Sequence, residues 1–184
     1  MKEHFSLLPI SILLLTTSGC AGNTQDSSNT MGAVAIPFSI SYDGVNKFTC
    51  RRFDLKFDDQ YKSGYLTNGK RNDNGDLEGY LYIDDMPTGY QLLTEIRCYP
   101  HRRTQFKNGK KHITRKVSQS VNIKPNTVLV APFLLRGSIE DDYGTHQLYY
   151  GLTWAPTATR EDIAEEITAN DLQSNWNVTL DQDY

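Results

Sequence analysis

Cys50 and Cys98 are the residues of this chain best placed for covalent chemistry, and Cys20 is its only other cysteine. Their spacing fits no zinc set, which draws its ligands from pairs two to four residues apart. Oxidation of Cys50 with Cys98 is the chemistry left. Lys2 and His4 lead into an apolar run from Phe5 to Leu15, eleven residues that suit a secretory signal but fall short of the about 20 needed to span a bilayer. An exported chain meets an oxidising compartment, so a Cys50–Cys98 disulfide is expected. Closing a loop of roughly 50 residues contributes about 3 to 4 kcal/mol in the chain-entropy description. The alternative is two buried thiols. The other reactive side chains form weaker constellations. His101, His112 and His146 include no His-x-x-x-His pair. Ser138, Asp141 and His146 fall close together on an expected loop, but a catalytic triad is a matter of geometry and adjacency does not supply it. Asn72, Asn74, Asp76 and Glu78 alternate like calcium ligands without completing the Asp-x-Asx-x-Asx-Gly loop and its later Glu, so a solvated turn is the simpler reading. No catalytic residue, metal or cofactor is assigned, and the chain reads as a non-enzyme.

Charge is the second chemical signal. Between Glu95 and Glu140 no acidic residue occurs, while the interval holds ten of the chain's 19 lysines and arginines. From Glu140 onward there are ten acidic residues against one basic, Arg160. Net charge is only −3, and nothing indicates nucleic acid. If Asn108-Gly109 closes a two-residue hairpin, Lys107 faces Lys110, Arg102 faces Arg115, Pro100 faces Val117 and Ile96 faces Val121; His101 then opposes Lys116 and His112 opposes Gln105. Like charges directly opposite are destabilising. Arg102, Arg103, Lys107, Lys110, Lys111 and Arg115 therefore form the expected partner-binding surface. Its candidate partners are the acidic C-terminal segment, anionic lipid or lipopolysaccharide phosphate, and an acidic envelope protein. Tyr80, Tyr82, Tyr149 and Tyr150 are a second candidate surface, for stacking on glycan; strand aromatics otherwise fill a core.

The elements that carry these residues are mostly strands. Val34, Ile36, Phe38, Ile40 and Tyr42 alternate with period two, as do Phe53, Leu55 and Phe57. Further strands are expected over 77–83, 90–99, 113–123, 127–135 and 147–154, bounded by Gly, Pro, Asn or Asp. About seven antiparallel strands make an all-β sandwich. Asn74-Gly75 suits a type I′ turn, and Met86-Pro87-Thr88-Gly89 a type I turn. After Pro156 the pattern becomes helical, with Thr159 as cap, a start at Arg160, and Ile163 and Ile167 on the inner face. The expected organisation is a signal over residues 1–19, a flexible tether over 20–32, one sandwich domain over 33–157 and an acidic helical tail over 158–184. A tether of twelve links has a mean reach of about 20 Å.

Two resemblances add to this reading. Ser18-Gly19-Cys20-Ala21 behind its apolar run resembles the lipobox of bacterial lipoproteins. That resemblance implies cleavage before Cys20, a diacylglycerol thioether on its sulfur and an acyl chain such as palmitate on its amine. With Ala21 rather than Asp after the cysteine, it implies anchoring in the outer membrane, facing the periplasm. The stretch from Tyr80 to Leu92 (Tyr-Leu-Tyr-Ile-Asp-Asp-Met-Pro-Thr-Gly-Tyr-Gln-Leu) is similar to the strand, Pro-x-Gly turn and aromatic strand of transthyretin-like sandwiches, themselves immunoglobulin-like in layout. Lipoproteins of that layout serve as assembly pins of secretion machines, including the type VI system. The resemblance implies a non-catalytic interaction or assembly module of the cell envelope. The rival reading is an envelope protein that binds glycan or lipopolysaccharide.

Overall fold

Eleven strands and one helix carry the chain in the computed structural model, which describes residues 31–42, 50–66, 69–100, 110–142, 145–170 and 175–180. The strands are β1 (Met31–Tyr42), β2 (Cys50–Phe57), β3 (Gln60–Tyr65), β4 (Lys70–Arg71), β5 (Leu77–Pro87), β6 (Gly89–Pro100), β7 (Ile113–Ile123), β8 (Thr127–Val130), β9 (Phe133–Asp142), β10 (Thr145–Trp154) and β11 (Asn177–Leu180); helix α1 (Thr157–Ala169) precedes β11. The protein is all-β in class, as its alternating pattern requires. The expectation of about seven strands falls short for three reasons. The apolar run over 127–135 is cut in two at Pro132, which has no N–H to give a ladder. β4 and β11 are too short for a period-two signal of their own, and β3 is polar, with Gly64 at its one buried position. A strand also follows the helix, where none is expected.

The strands divide into two sheets. One has seven strands in the order β10-β9-β1-β5-β4, with β8 beside β1 and β11 beside β8; the other runs β3-β2-β6-β7. β1 organises the first: it pairs antiparallel with β5, and parallel with β8 over Ala33–Ala35 and β9 over Phe38–Tyr42. Its alternation serves two cores. Val34, Ile36, Phe38 and Ile40 join Leu81, Ile83, Phe133 and Leu135, and pack with Phe53, Leu55, Phe57, Leu93, Ile96 and Val121 of the four-stranded sheet. Ala33 and Ala35 face the other way and join Tyr80, Val128 and Val130 under Ile163 and Ile167 of α1. The expected inner face of the helix is thus correct. Its start is not: α1 begins at Thr157, with Pro156 in the cap position and no side-chain cap bond. Proline's fixed φ suits a helix entry, which moves the start ahead of Thr159.

Of the four passages between the sheets, those from β5 to β6 and from β7 to β8 lie together at one corner of the molecule. β5 passes into β6 through Thr88 and Gly89, whose φ of +97° favours glycine. β7 passes into β8 through Lys124, Pro125 and Asn126, the last at φ +52°. Met31 sits between them, paired with Pro87 and accepting a 3.0 Å bond from the Asn126 amide. Gly32 is pressed into this corner: a Cβ there would lie 2.5 Å from Ile123 Cγ2 and 2.6 Å from the Lys124 carbonyl oxygen. Elsewhere, Gly75 takes φ +84° but Asn74 stays at negative φ, so the turn is not type I′. It is a longer loop. The Gly75 amide bonds Asn72 O at 2.9 Å, and Asn72 Oδ1 accepts from the Asn74 and Asp76 amides. Asn72 spends its side chain on that turn, and on Glu78 at 2.9 Å.

Candidate interaction surface on the basic edge

Cys50 and Cys98 form the expected disulfide. They lie on neighbouring strands β2 and β6, with Cα atoms 5.4 Å apart and both side chains sealed in the main core. β6 carries the chain onward to β7, the open edge of the four-stranded sheet. This pairing differs from the one expected. Gly89 pairs with Ile123 and Leu93 with Gln119; a register shift between Leu93 and Glu95 then sets Glu95 opposite Lys116, Ile96 opposite Arg115 and Cys98 opposite Ile113. Ile96 therefore does not face Val121, Arg102 does not face Arg115, and Lys116 is opposite Glu95 rather than His101. The bulge moves the register by one residue only; the larger part of the difference is the turn, since a two-residue loop at Asn108-Gly109 would set Cys98 opposite Gln119 and the sheet sets it opposite Ile113. Arg102, Arg103, Lys107 and the Asn108-Gly109 turn lie outside the described residues, as does His101.

The bulge brings Glu95 to the outer face of the sheet beside three partners. Tyr61 on β3 donates its hydroxyl to Oε1 at 2.6 Å, Arg97 donates Nε to the same oxygen at 2.7 Å, and Lys116 donates Nζ to Oε2. These bonds, that of Lys116 foremost, hold the Glu95 carboxyl down at about 2. Arg97 also lies over the Tyr61 ring, 3.9 Å from its centroid. In the next row Arg52 lies 4.2 Å over Tyr99, and Tyr99 contacts the His112 ring at 5.2 Å. Sequence reasoning missed this cluster. Its one readable signal was Glu95 two before Arg97, which share a strand face.

Lys110 and Lys111 are exposed just before β7, and Arg115 lies on it with its guanidinium turned to the other sheet. Arg115 Nη1 donates to the Tyr150 carbonyl of β10 at 2.5 Å, and the Tyr150 hydroxyl donates back to Ile113 O at 2.7 Å. Burial pushes that phenol up to about 12. The edges β7 and β10 are thus tied at one point, and beside the tie lies a cleft of about 480 Å³. Arg115, Lys116 and Arg136 line it with Ser138, Gln119 and Tyr149, and among the described residues no carboxylate lines it. No residue of the acidic helix lines this cleft, although Arg136 also borders a second cavity that Glu78, Asp162 and Glu166 line. The helix stands on the far face of the seven-stranded sheet, where Glu166 pairs with Lys70 at 3.0 Å. The glycan face is corrected too: Tyr80 is buried beneath α1, Tyr82 packs beside it, and Tyr150 is in the main core, leaving Tyr149 the exposed member. Ser138, Asp141 and His146 sit on paired strands β9 and β10 rather than on a loop, with His146 opposite Asp141 and Ser138 opposite Tyr149.

No protein-family model matches the chain, and no curated protein matches it in sequence. Among solved structures, a proposed cell adhesion protein from Bacteroides fragilis is similar at a TM-score of 0.33 and 13% identity, over 70% of this chain and 47% of that one. The chain spans about half the length of that protein, and a likeness this low carries no argument.

Proposed function

We propose that the chain is a lipoprotein of the outer membrane, acylated on Cys20, whose two sheets form a periplasmic β-sandwich that works as a non-catalytic interaction or assembly module. The observation that carries this reading is the cleft between the β7 and β10 edges, lined by Arg115 and Arg136 with no carboxylate among its described lining residues, beside exposed Lys110 and Lys111. Aligned cations of this kind select a negatively charged partner and speed its encounter. An acidic envelope protein fits best. The same cations support a second reading, lipopolysaccharide phosphate, which one experiment separates from the first. The full chain is crosslinked in its host envelope, alone and as a variant with Lys110→Glu, Lys111→Glu and Arg136→Glu. Recovery of a defined protein adduct that the triple reversal abolishes supports the protein partner. Retention of lipopolysaccharide in its place supports the second reading, and unchanged recovery by the variant overturns both. Cys20→Ala should release the chain from the membrane fraction; if it stays there, the anchor is misassigned.

A further inference from the structure

Accepting the lipid anchor at Cys20, the fold assigns the molecule an orientation. The tether joins the domain at Met31, in the corner where β5 passes to β6 and β7 to β8. β6 starts in that corner at Gly89 and runs to Pro100, a length of roughly 36 Å at about 3.3 Å per residue. Pro100 and the exposed Lys110 and Lys111 are therefore at the opposite end of the sheet from Met31. The tethered corner has a different surface. Tyr90, at 77%, is the most exposed large apolar side chain among the described residues, and Leu92 at 41% and Met31 at 37% are exposed near it in the strand pairing at this corner. Tyr90 and Leu92 share one face of β6, since they are two apart on a strand.

Charge at this corner is mixed. The Asp58 amide bonds the Leu92 carbonyl at 2.8 Å and its Oδ1 accepts from the Leu92 amide, so one carboxylate lies against the apolar side chains. Asp59 pairs with Lys56, Lys62 bonds the Asp85 carbonyl, and Lys124 is exposed at the β7–β8 crossing. An anionic surface would gain little there. A tyrosine with an apolar body and polar tip, beside a leucine and a methionine, suits the boundary of a zwitterionic bilayer. The contact need not be strong, because acylation at Cys20, eleven residues before Met31, holds the corner at high effective concentration over the lipid.

We propose that the corner carrying Met31, Tyr90 and Leu92 rests on the zwitterionic lipid surface to which Cys20 ties the chain, so that the basic end of β6 and β7 stands away from the anchoring bilayer and meets a partner in the periplasm. The test uses the full mature chain on phosphatidylcholine–phosphatidylethanolamine vesicles, held by its own acyl chains and, in parallel, by coupling an unacylated Cys20 to a maleimide lipid. An environment-sensitive fluorophore is attached at Thr88→Cys or at Lys111→Cys, with a quencher in the bilayer. The expected result is a blue-shifted, quenched probe at residue 88 and an unquenched one at 111. Tyr90→Ser with Leu92→Ser should lower the docked fraction on the order of tenfold. Quenching at 111 equal to that at 88, or none at 88 on anchored protein, overturns the proposal. A shift at 88 that grows with protein concentration without vesicles also overturns it, and gives the corner to a second copy. Absence of acyl chains on the host-made protein would sink the lipoprotein reading, while the maleimide-anchored sample still decides the orientation.

Discussion

Glu95 shows how much a single residue gains from its position one step past a bulge. Lys116, Tyr61 and Arg97 converge on its carboxylate and hold it down at about 2, against an ordinary value of about 4.3. A carboxyl depressed by folding adds stability that is complete above its unfolded value and is lost as pH falls from there toward the folded one. Glu95 is covered by its partners, but Lys116 and Tyr61 are open to solvent, which screens the cluster, so its contribution is about 1 kcal/mol rather than the full shift. Glu95→Gln should therefore unfold at lower denaturant than the parent at pH 7, by about that amount, and the two should converge as pH approaches about 2. Urea melts across pH decide it; an unchanged gap at low pH would mean that Glu95 acts by packing and not by charge. Glu95 was legible as a candidate only in hindsight. Its distance from Tyr61 in sequence is 34 residues, and only the sheet brings them together.

Two elements depend on close approach or covalent closure. β1 enters the fold through Gly32, where an added Cβ would meet Ile123 Cγ2 at 2.5 Å and a backbone oxygen at 2.6 Å. Backbone cannot move aside as a side chain does, so Gly32→Ala is expected to cost on the order of 2 kcal/mol, read as a lowered Tm. A neutral result would mean that the β7–β8 crossing yields freely. Removing the β2–β6 crosslink with Cys50→Ser and Cys98→Ser should cost about 3 to 4 kcal/mol. A smaller loss under denaturant would show that the unfolded chain retains structure without the bond. At this scale the sequence was a good guide where alternation ran long, as in β7, whose expected limits match Ile113–Ile123. It was a poor guide where a single residue breaks the period: the bulge at Leu93/Glu95 leaves no mark in the apolar pattern, yet it resets the pairing of Glu95, Ile96 and Cys98.

For the whole molecule, the two sheets separate the functions that the charge map had merged. The acidic helix packs on the outer face of the seven-stranded sheet, and the basic edge β7 belongs to the other sheet, so helix α1 is not the counter-ion of that edge. Met31 and the exposed pair Lys110 and Lys111 lie at opposite ends of β6, so the proposed anchor turns a choice among partners into a question of orientation. Sequence alone determined the class of fold, the disulfide and the amphipathic face of α1, because alternation, cysteine number and helical periodicity are local properties that burial reads directly. The apolar run over 5–15 and the Ser18-Gly19-Cys20-Ala21 pattern, on which the proposed export and acylation rest, are likewise read as linear strings. Only the tertiary structure decided which strands neighbour one another, the β6–β7 register, the burial of Tyr80 and Tyr150, and the assembly of Arg115, Lys116 and Arg136 around one cleft. Each of these joins residues far apart in the chain. Which residues meet depends on how the sheets cross at Gly89 and Asn126, a global choice that no local pattern encodes.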